Sequence, residues 1–492
     1  MAIMGGLCRR VSGGTLGDRR TCRMASGARC ILRGPRGDPG LKGLSRCATK
    51  PWDALRPQWI EVPTSFEVSR MSCEIISNEI ARRFLLGLQG LWPGRRWSGI
   101  EGASEALHAL EAVQVDPMTV VSRSHDLVLW ARVTGYSPRD LDELLYSRRA
   151  FFDYGGCVHI YPMEELPCWR VHMERRKHDK REAAFFSEHG ALTRDVRELI
   201  REGGPVGSRD LEGTARVSSY RARKDSGLAL YNLWLTGDLM THGRDGFQRI
   251  YGLRERIAPV TLQHDAPVED AENYFARKAF RLLGLHTARA WANTFAFLVH
   301  RSVDKVEARS RIEALVADGE IAAVEIEGQP EKYYYVASRE PCLQALVATE
   351  IPQEWDPVET TAEEEVVFLS PLDPLLGRQR VLDLFAFEYL WEVYKPVVKR
   401  RWGYYTMPIL WKDRLVGRLD PKLDRGRNAL LINGFWLEDG AISADRSFVA
   451  ALARGVTAFA RFHGAAHVDI SSLQPQSVRD WLGYAVGKAQ QF

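Results

Sequence analysis

Apolar residues recur at helical spacing from Ile75 onward, with Ile80, Phe84, Leu85, Leu88 and Leu91 on one face. Ser77 is the expected N-cap of this first helix. A loop rich in Trp, Gly, Pro and Arg runs through Gly102, and residues 103–112 give a second helix. Residues 118–132 have the apolar spacing of a third, started by Pro117, and residues 138–146 form a short helix. Residues 151–161 then read as strand. Helices followed by strands is the order of a winged helix. The order recurs with helices at 193–202, from Ser208, and at 226–237, then strands flanking a turn at 242–246. A third round has a helix at 304–318 and strands at 319–327 and 332–336 around Gly328-Gln329-Pro330.

Past an acidic stretch the period changes to two. Strands are expected at 404–410, 414–423 and 429–435, and helices at 443–463 and 474–485. The expected fold is therefore α+β. Tandem winged helices occupy 75–165, 185–258 and 268–340, and an acidic linker fills 350–366. A small β-barrel or sheet with terminal helices occupies 367–492.

Length and composition agree with a multidomain globular chain: 492 residues, 45% apolar and 26% charged. No apolar run approaches the roughly 20 residues of a membrane span. Charge is unevenly placed. Residues 1–70 hold 13 Lys/Arg against 5 Asp/Glu, whereas the rest hold 54 against 58. The Arg-rich, acid-poor start is expected to be disordered, as a transit peptide or as sequence upstream of a start at Met71. DNA affinity cannot rest on the global charge of the body and needs a local patch. The eight cysteines form no Cys-x-x-Cys pair and no zinc-finger spacing, which points to free thiols and no metal.

Candidate chemistry sits in Gln114-Val115-Asp116. In an extended stretch, residues two apart face one side, so an amide and a carboxylate are presented together. The amide can orient a water, and the carboxylate can take its proton or stabilise a nearby positive charge. That pair suits hydrolysis through a cationic transition state, as in cleavage of an N-glycosidic bond. Asp116-Pro117 is equally the start of a helix, with Asp116 as N-cap. The two roles are compatible.

The run from Val113 to Trp130 resembles the signature of the YcaQ/AlkZ family of winged-helix DNA glycosylases. That family carries Gln-hydrophobic-Gln in one branch and Gln-hydrophobic-Asp in the YcaQ branch, which Gln114-Val115-Asp116 matches. Ser122-Arg123-Ser124-His125, Leu129-Trp130-Ala131-Arg132-Val133, Leu369-Ser370-Pro371-Leu372-Asp373-Pro374-Leu375-Leu376 and the block from Tyr394 to Tyr405 resemble further family segments. One block departs: where many members have Trp and then His after the Tyr, this chain has Gly155 and Cys157, with His159 nearby.

The resemblance implies a monofunctional DNA repair glycosylase that releases N7-alkylated purines and unhooks interstrand crosslinks, with Gln114 and Asp116 as catalytic pair and no cofactor. Its partner would be double-stranded DNA, met as a monomer in the cytoplasm at the nucleoid, or in an organelle if the leader is a transit peptide. Arg216, Arg221, Arg223 and Lys224 are candidate DNA contacts ahead of a helix, and Lys395, Lys399, Arg400 and Arg401 form the densest basic patch. The run Arg170, Arg175, Arg176, Lys177, Lys180 and Arg181 is interleaved with acids and reads as a solvated helix face. His125 and His159 are candidate supporting residues. A non-enzymatic DNA-binding regulator is the alternative, and a protein-interaction scaffold a third. A regulator has no need of a water-binding amide beside a carboxylate.

Overall fold

Three sheets of three or four strands, each beside its own helices, and two strand pairs precede a five-stranded sheet in the computed structural model, which describes residues 75–211, 216–218 and 221–489. The leader 1–70 lies outside the described residues. The chain begins with β1 (Ile75–Ile76), α1 (Asn78–Leu88), β2 (Trp97–Ser98), α2 (Gly99–Leu110), β3 (Val113–Gln114), α3 (Ser124–Trp130), β4 (Val133–Thr134), α4 (Pro138–Asp142), β5 (Phe151–Tyr154) and β6 (His159–Pro162). Ser77 starts α1 by accepting the Ile80 N–H at 3.2 Å, and Ser137 and Asp140 form a capping box on α4. Each such cap stabilises its helix by about 1 kcal/mol. β3 and β5 flank β6, both antiparallel to it.

Next come α5 (Leu166–Lys177), α6 (Lys180–Gly203), β7 (Val206–Gly207), β8 (Arg216–Ser218), β9 (Arg221–Arg223), α7 (Asp225–Leu235), β10 (Leu239–Asp245) and β11 (Gln248–Leu253). β10 and β11 form a hairpin turning at Gly246, whose φ of 58° favours glycine. β7 pairs on the far side of β11. The helix expected from Ser208 does not form. Asp210 accepts the Gly207 N–H at 2.7 Å and turns the chain, and β8 and β9 then pair as a short hairpin.

The third group is α8 (Val268–Leu283), β12 (His286–Thr287), α9 (Ala288–Val299), α10 (Lys305–Ala317), β13 (Ile321–Ile326), β14 (Tyr333–Val336) and α11 (Glu340–Val347). Its sheet has the order β1-β13-β14-β12, so the first described strand is an edge of the third sheet, parallel to β13. The acidic stretch that follows is packed rather than free. Val358 N–H donates to Arg95 O at 2.8 Å, Thr361 bridges Gly94, and Glu365 pairs with buried Arg95 at 2.7 Å.

The last part holds β15 (Val367–Phe368), α12 (Arg378–Phe385), β16 (Met407–Trp411), β17 (Arg414–Asp424), β18 (Ala429–Leu437), α13 (Arg446–Phe462), β19 (His467–Asp469) and α14 (Gln476–Ala489). Its strands form one sheet in the order β15-β16-β17-β18-β19, with β15 and β19 at the edges. No helix of the described residues is long and apolar enough to cross a membrane.

Packing does not follow sequence order. One core joins α1, α2 and α3 to the five-stranded sheet and α13, and a second joins β5 and β6 to α5, α7, α8 and α9. The basic run divides: Lys180 and Arg181 are exposed at the start of α6, as a solvated face requires, whereas Arg170, Arg175 and Arg176 of α5 are tied into the second core's edge. Arg170 is buried and pairs with Asp265 at 3.0 Å, Arg175 reaches Glu272 at 2.6 Å, and Arg176 reaches Glu182 at 3.4 Å.

Candidate active site

The alternation expected around Val115 is present. Val113 and Val115 point into the core, and Gln114 and Asp116 are half-buried on the opposite side. β3 registers Gln114 opposite His159 of β6, and the Val115 N–H donates to Val158 O at 2.8 Å. Pairing on one side thus fixes the backbone that carries both candidate groups.

The helix expected from Pro117 is absent until Ser124. The Asp116 carboxylate instead accepts the Met118 N–H at 2.9 Å and makes a tight turn. Val120 O accepts the Leu423 N–H at 3.0 Å, and Val121 O accepts the Arg425 guanidinium at 3.0 Å. Carbonyls that would otherwise have begun a helix are bound to β17 and the loop after it. Asp116 is therefore fixed by a turn, not as a helix cap.

Among the described residues, no cation pairs with Asp116. Burial pushes its carboxyl above the ordinary range, and the Met118 N–H only partly offsets this. Beneath it lies buried Tyr405, whose phenol is raised first by burial and then by the Asp116 charge. Tyr405 also bonds Ser370, whose hydroxyl meets that of Ser124 at 2.6 Å. The Ser370–Leu376 block is anchored by Asp373, held by both terminal nitrogens of buried Arg132 at 2.8 Å. This is the role of that block: it ties α3 to the last part of the chain and sets the floor under Asp116.

Gln114 lines a cavity of about 670 Å³ together with His159, His286, Arg289, Asn293 and Gln329. Asp116, two residues further along the chain, is not among its lining residues. His159 is buried with Nδ1 at 2.7 Å from Cys157 O, and His286 is buried with Nδ1 at 3.2 Å from Thr287 O. A carbonyl only accepts, so each Nδ1 carries the proton and each Nε2 keeps its lone pair. Burial pushes the two imidazoles down, to about 4 and about 3, and keeps both neutral. His286 carried no sequence signal, since it enters the wall through a two-residue strand. A larger recess of about 1260 Å³ between α13, α14 and Trp130–Tyr136 contains neither Gln114 nor Asp116.

His125 is buried on α3, away from the cavity, and burial with Arg123 and Arg244 drives its imidazole well below the usual range. It belongs to the packing around Asp153, which meets Arg244, Thr241 and, at 3.8 Å, Arg249. No group of three or more His, Cys, Asp or Glu that could hold a metal ion occurs among the described residues.

The structure separates the two sets of basic candidates. Arg216, Arg221 and Arg223 lie on the β8–β9 hairpin immediately ahead of α7, and their side chains are outside the described set. Lys224 donates to Leu211 O at 2.5 Å and is half-buried. Lys395, Lys399, Arg400 and Arg401 stand together on the loop leading to Tyr405. Lys395 is paired with buried Glu392 at 2.7 Å, whereas Lys399 and Arg401 are exposed.

A sequence model of the family described as "DNA glycosylase AlkZ-like" matches residues 107–462. Among solved structures, the fold is similar to that of the Streptomyces sahachiroi DNA glycosylase AlkZ. The TM-score is 0.53 at 15% identity, over 80% of this chain and 100% of that one.

Proposed function

This chain belongs to the AlkZ-like DNA glycosylase family, and we propose that it hydrolyses N7-alkylated purines from duplex DNA with Gln114 and Asp116 as its catalytic pair. The observation that carries this reading is the unpaired Asp116 carboxylate, raised by burial and held by a turn beside the amide that lines the cavity. An N7-alkylated purine is a cation and departs without a general acid. The C1′–N9 bond breaks, its electron pair neutralises the purine, and positive charge develops on the sugar. Asp116 faces that charge as an anion. Gln114 orients the water, whose oxygen bonds to C1′ while its proton passes to Asp116. The product is a free base and an abasic site, so the enzyme is monofunctional and needs no cofactor.

Three helix-and-sheet groups read as winged helices, at 75–165, 185–258 and 268–340, with the stretch 350–366 leading to the last domain, 367–492. A base tied to both strands cannot be swung fully into a deep pocket, so a cavity open between such groups suits crosslink unhooking. The enzyme acts as a monomer on chromosomal DNA. A regulator would explain neither the cation-free carboxylate nor its amide neighbour. The test is base release from DNA containing N7-methylguanine by wild type, Gln114→Ala and Asp116→Asn. Full activity in both variants would sink the assignment of the pair. Absence of release by wild type from any N7-alkylated duplex would sink the substrate.

A further inference from the structure

The loop between α12 and β16 exposes three large apolar side chains. Val398 is 91% exposed, Val397 73% and Tyr394 69%, the first being the most exposed large apolar residue among those described. Soluble proteins carry scattered apolar surface, but here three such residues fall within five positions of one loop. They are bracketed by Lys395, Lys399, Arg400 and Arg401.

The loop is built to hold this tip rigid. Buried Glu392 accepts the backbone N–H groups of Arg401 and Trp402 at 2.8 and 2.7 Å, and Lys395 Nζ at 2.7 Å. One carboxylate thus closes the loop at its base. Pro396 begins a single 3₁₀ turn over Val397–Lys399, with the Lys399 N–H donating to Pro396 O at 2.9 Å. Arg400 donates to Lys395 O at 3.0 Å and lies over the Tyr404 ring at 4.9 Å. Arg401 and Arg418 both lie over Trp402 at 4.3 Å. Gly403, at a φ of 132°, lets the chain pass against Asp420, where any Cβ would collide with the carboxylate. Asp420 then receives the Tyr405 N–H at 2.8 Å. The loop ends on the site itself, since Tyr404 reaches Met118 Sδ at 3.6 Å and Tyr405 underlies Asp116.

A rigid aliphatic tip ringed by cations matches one partner chemistry. Stacked bases offer an apolar slot, and the phosphates on either side offer negative charge. Proteins that kink DNA use small apolar wedges between base steps in this way. We infer that Val397 and Val398 insert between base pairs beside the lesion, while Lys399, Arg400 and Arg401 take the flanking phosphates. The wedge rests on the reading of this chain as a DNA glycosylase and adds how the damaged pair is opened toward Gln114 and Asp116. It holds the lesion partly unstacked without drawing the base into a deep pocket.

The experiment uses a duplex with 2-aminopurine next to N7-methylguanine, the full chain, and the double variant Val397→Ser/Val398→Ser. Both sites are exposed, so thermal midpoints of variant and wild type should agree. Wild type is expected to raise 2-aminopurine fluorescence on binding. The double variant is expected to bind within about threefold, because the phosphate contacts remain. It should fail to raise the fluorescence and release base at least about tenfold more slowly, as displaced reacting groups do. Equal fluorescence and equal rates in the two proteins would overturn the wedge, as would wild-type binding with no rise at all. A rise in wild type that the variant loses, without base release by either, would leave the wedge standing and remove the proposed substrate.

Discussion

Asp116 and Asp153 lie on either side of β6, and their surroundings are opposite. Asp153 is fully buried, and burial alone would raise its carboxyl, yet Arg244 and Arg249 hold it below the ordinary range. Asp116 is only half-buried, has no cation, and is raised. Depth therefore does not set the sign of the shift; the presence of a guanidinium does. A carboxylate pinned by arginine is a strut between β5 and β10. One left with a single backbone N–H keeps an oxygen for chemistry.

The sharpest way to break this contrast is Asp116→Asn. Base release is expected to fall by about 10²–10⁴-fold, the usual contribution of a general base, measured as single-turnover release of N7-methylguanine. The same substitution should leave the thermal midpoint unchanged or higher. A raised carboxyl pKa means the folded chain binds the proton more tightly, so the ionised group opposes folding at neutral pH. Arg244→Ala is expected to do the reverse. It strands part of the Asp153 charge in the interior and should cost about 3 kcal/mol of stability in a denaturant titration, while release by the surviving folded protein stays near wild type.

The pH dependence separates the two groups further. Release should fall as pH drops through the Asp116 pKa, which lies above the ordinary carboxylate value, and the residual rate of Asp116→Asn should lose that limb. Asp153 stabilises above its unfolded pKa, and this is lost as pH falls through its lowered folded pKa. Acid unfolding should therefore begin at higher pH in Arg244→Ala. The smallest effect is expected for Lys399→Ala, on the exposed patch. It should weaken DNA binding with little change in rate at saturation, and reduce the slope of log affinity against log salt by about 0.9.

The amide and carboxylate were legible because period-two alternation is local: Val113 and Val115 inward, Gln114 and Asp116 outward. The helix expected from Pro117 failed because its first carbonyls bind Leu423 and Arg425, some 300 residues away in sequence. The hairpins at 239–253 and 321–336 and the three central strands of the last sheet followed from turn residues and alternation, whereas its two short edge strands did not. The helix from Ser208 did not form, since Val206-Gly207 pairs with Tyr251 and Ile250. In the basic run Lys180 and Arg181 are exposed as expected, while Arg170 and Arg175 misled for a related reason. Their partners Asp265 and Glu272 lie beyond any local window, so interleaved acids on the same helix looked sufficient. His286 and the exposed valines of the wedge loop are properties of placement and leave no pattern in the chain.

The pairing of Ile75–Ile76 with Glu325–Ile326 also sets an order of events during synthesis. The first described strand has no hydrogen-bonded partner strand until some 250 further residues have left the ribosome. Until then α1 can coil and bury part of its face, but the two residues before it must stay open. On a nascent chain stalled short of β13, that segment is expected to be cut by added protease, and to become protected once β13 has emerged. That four-stranded sheet is thus completed late, through the first described strand.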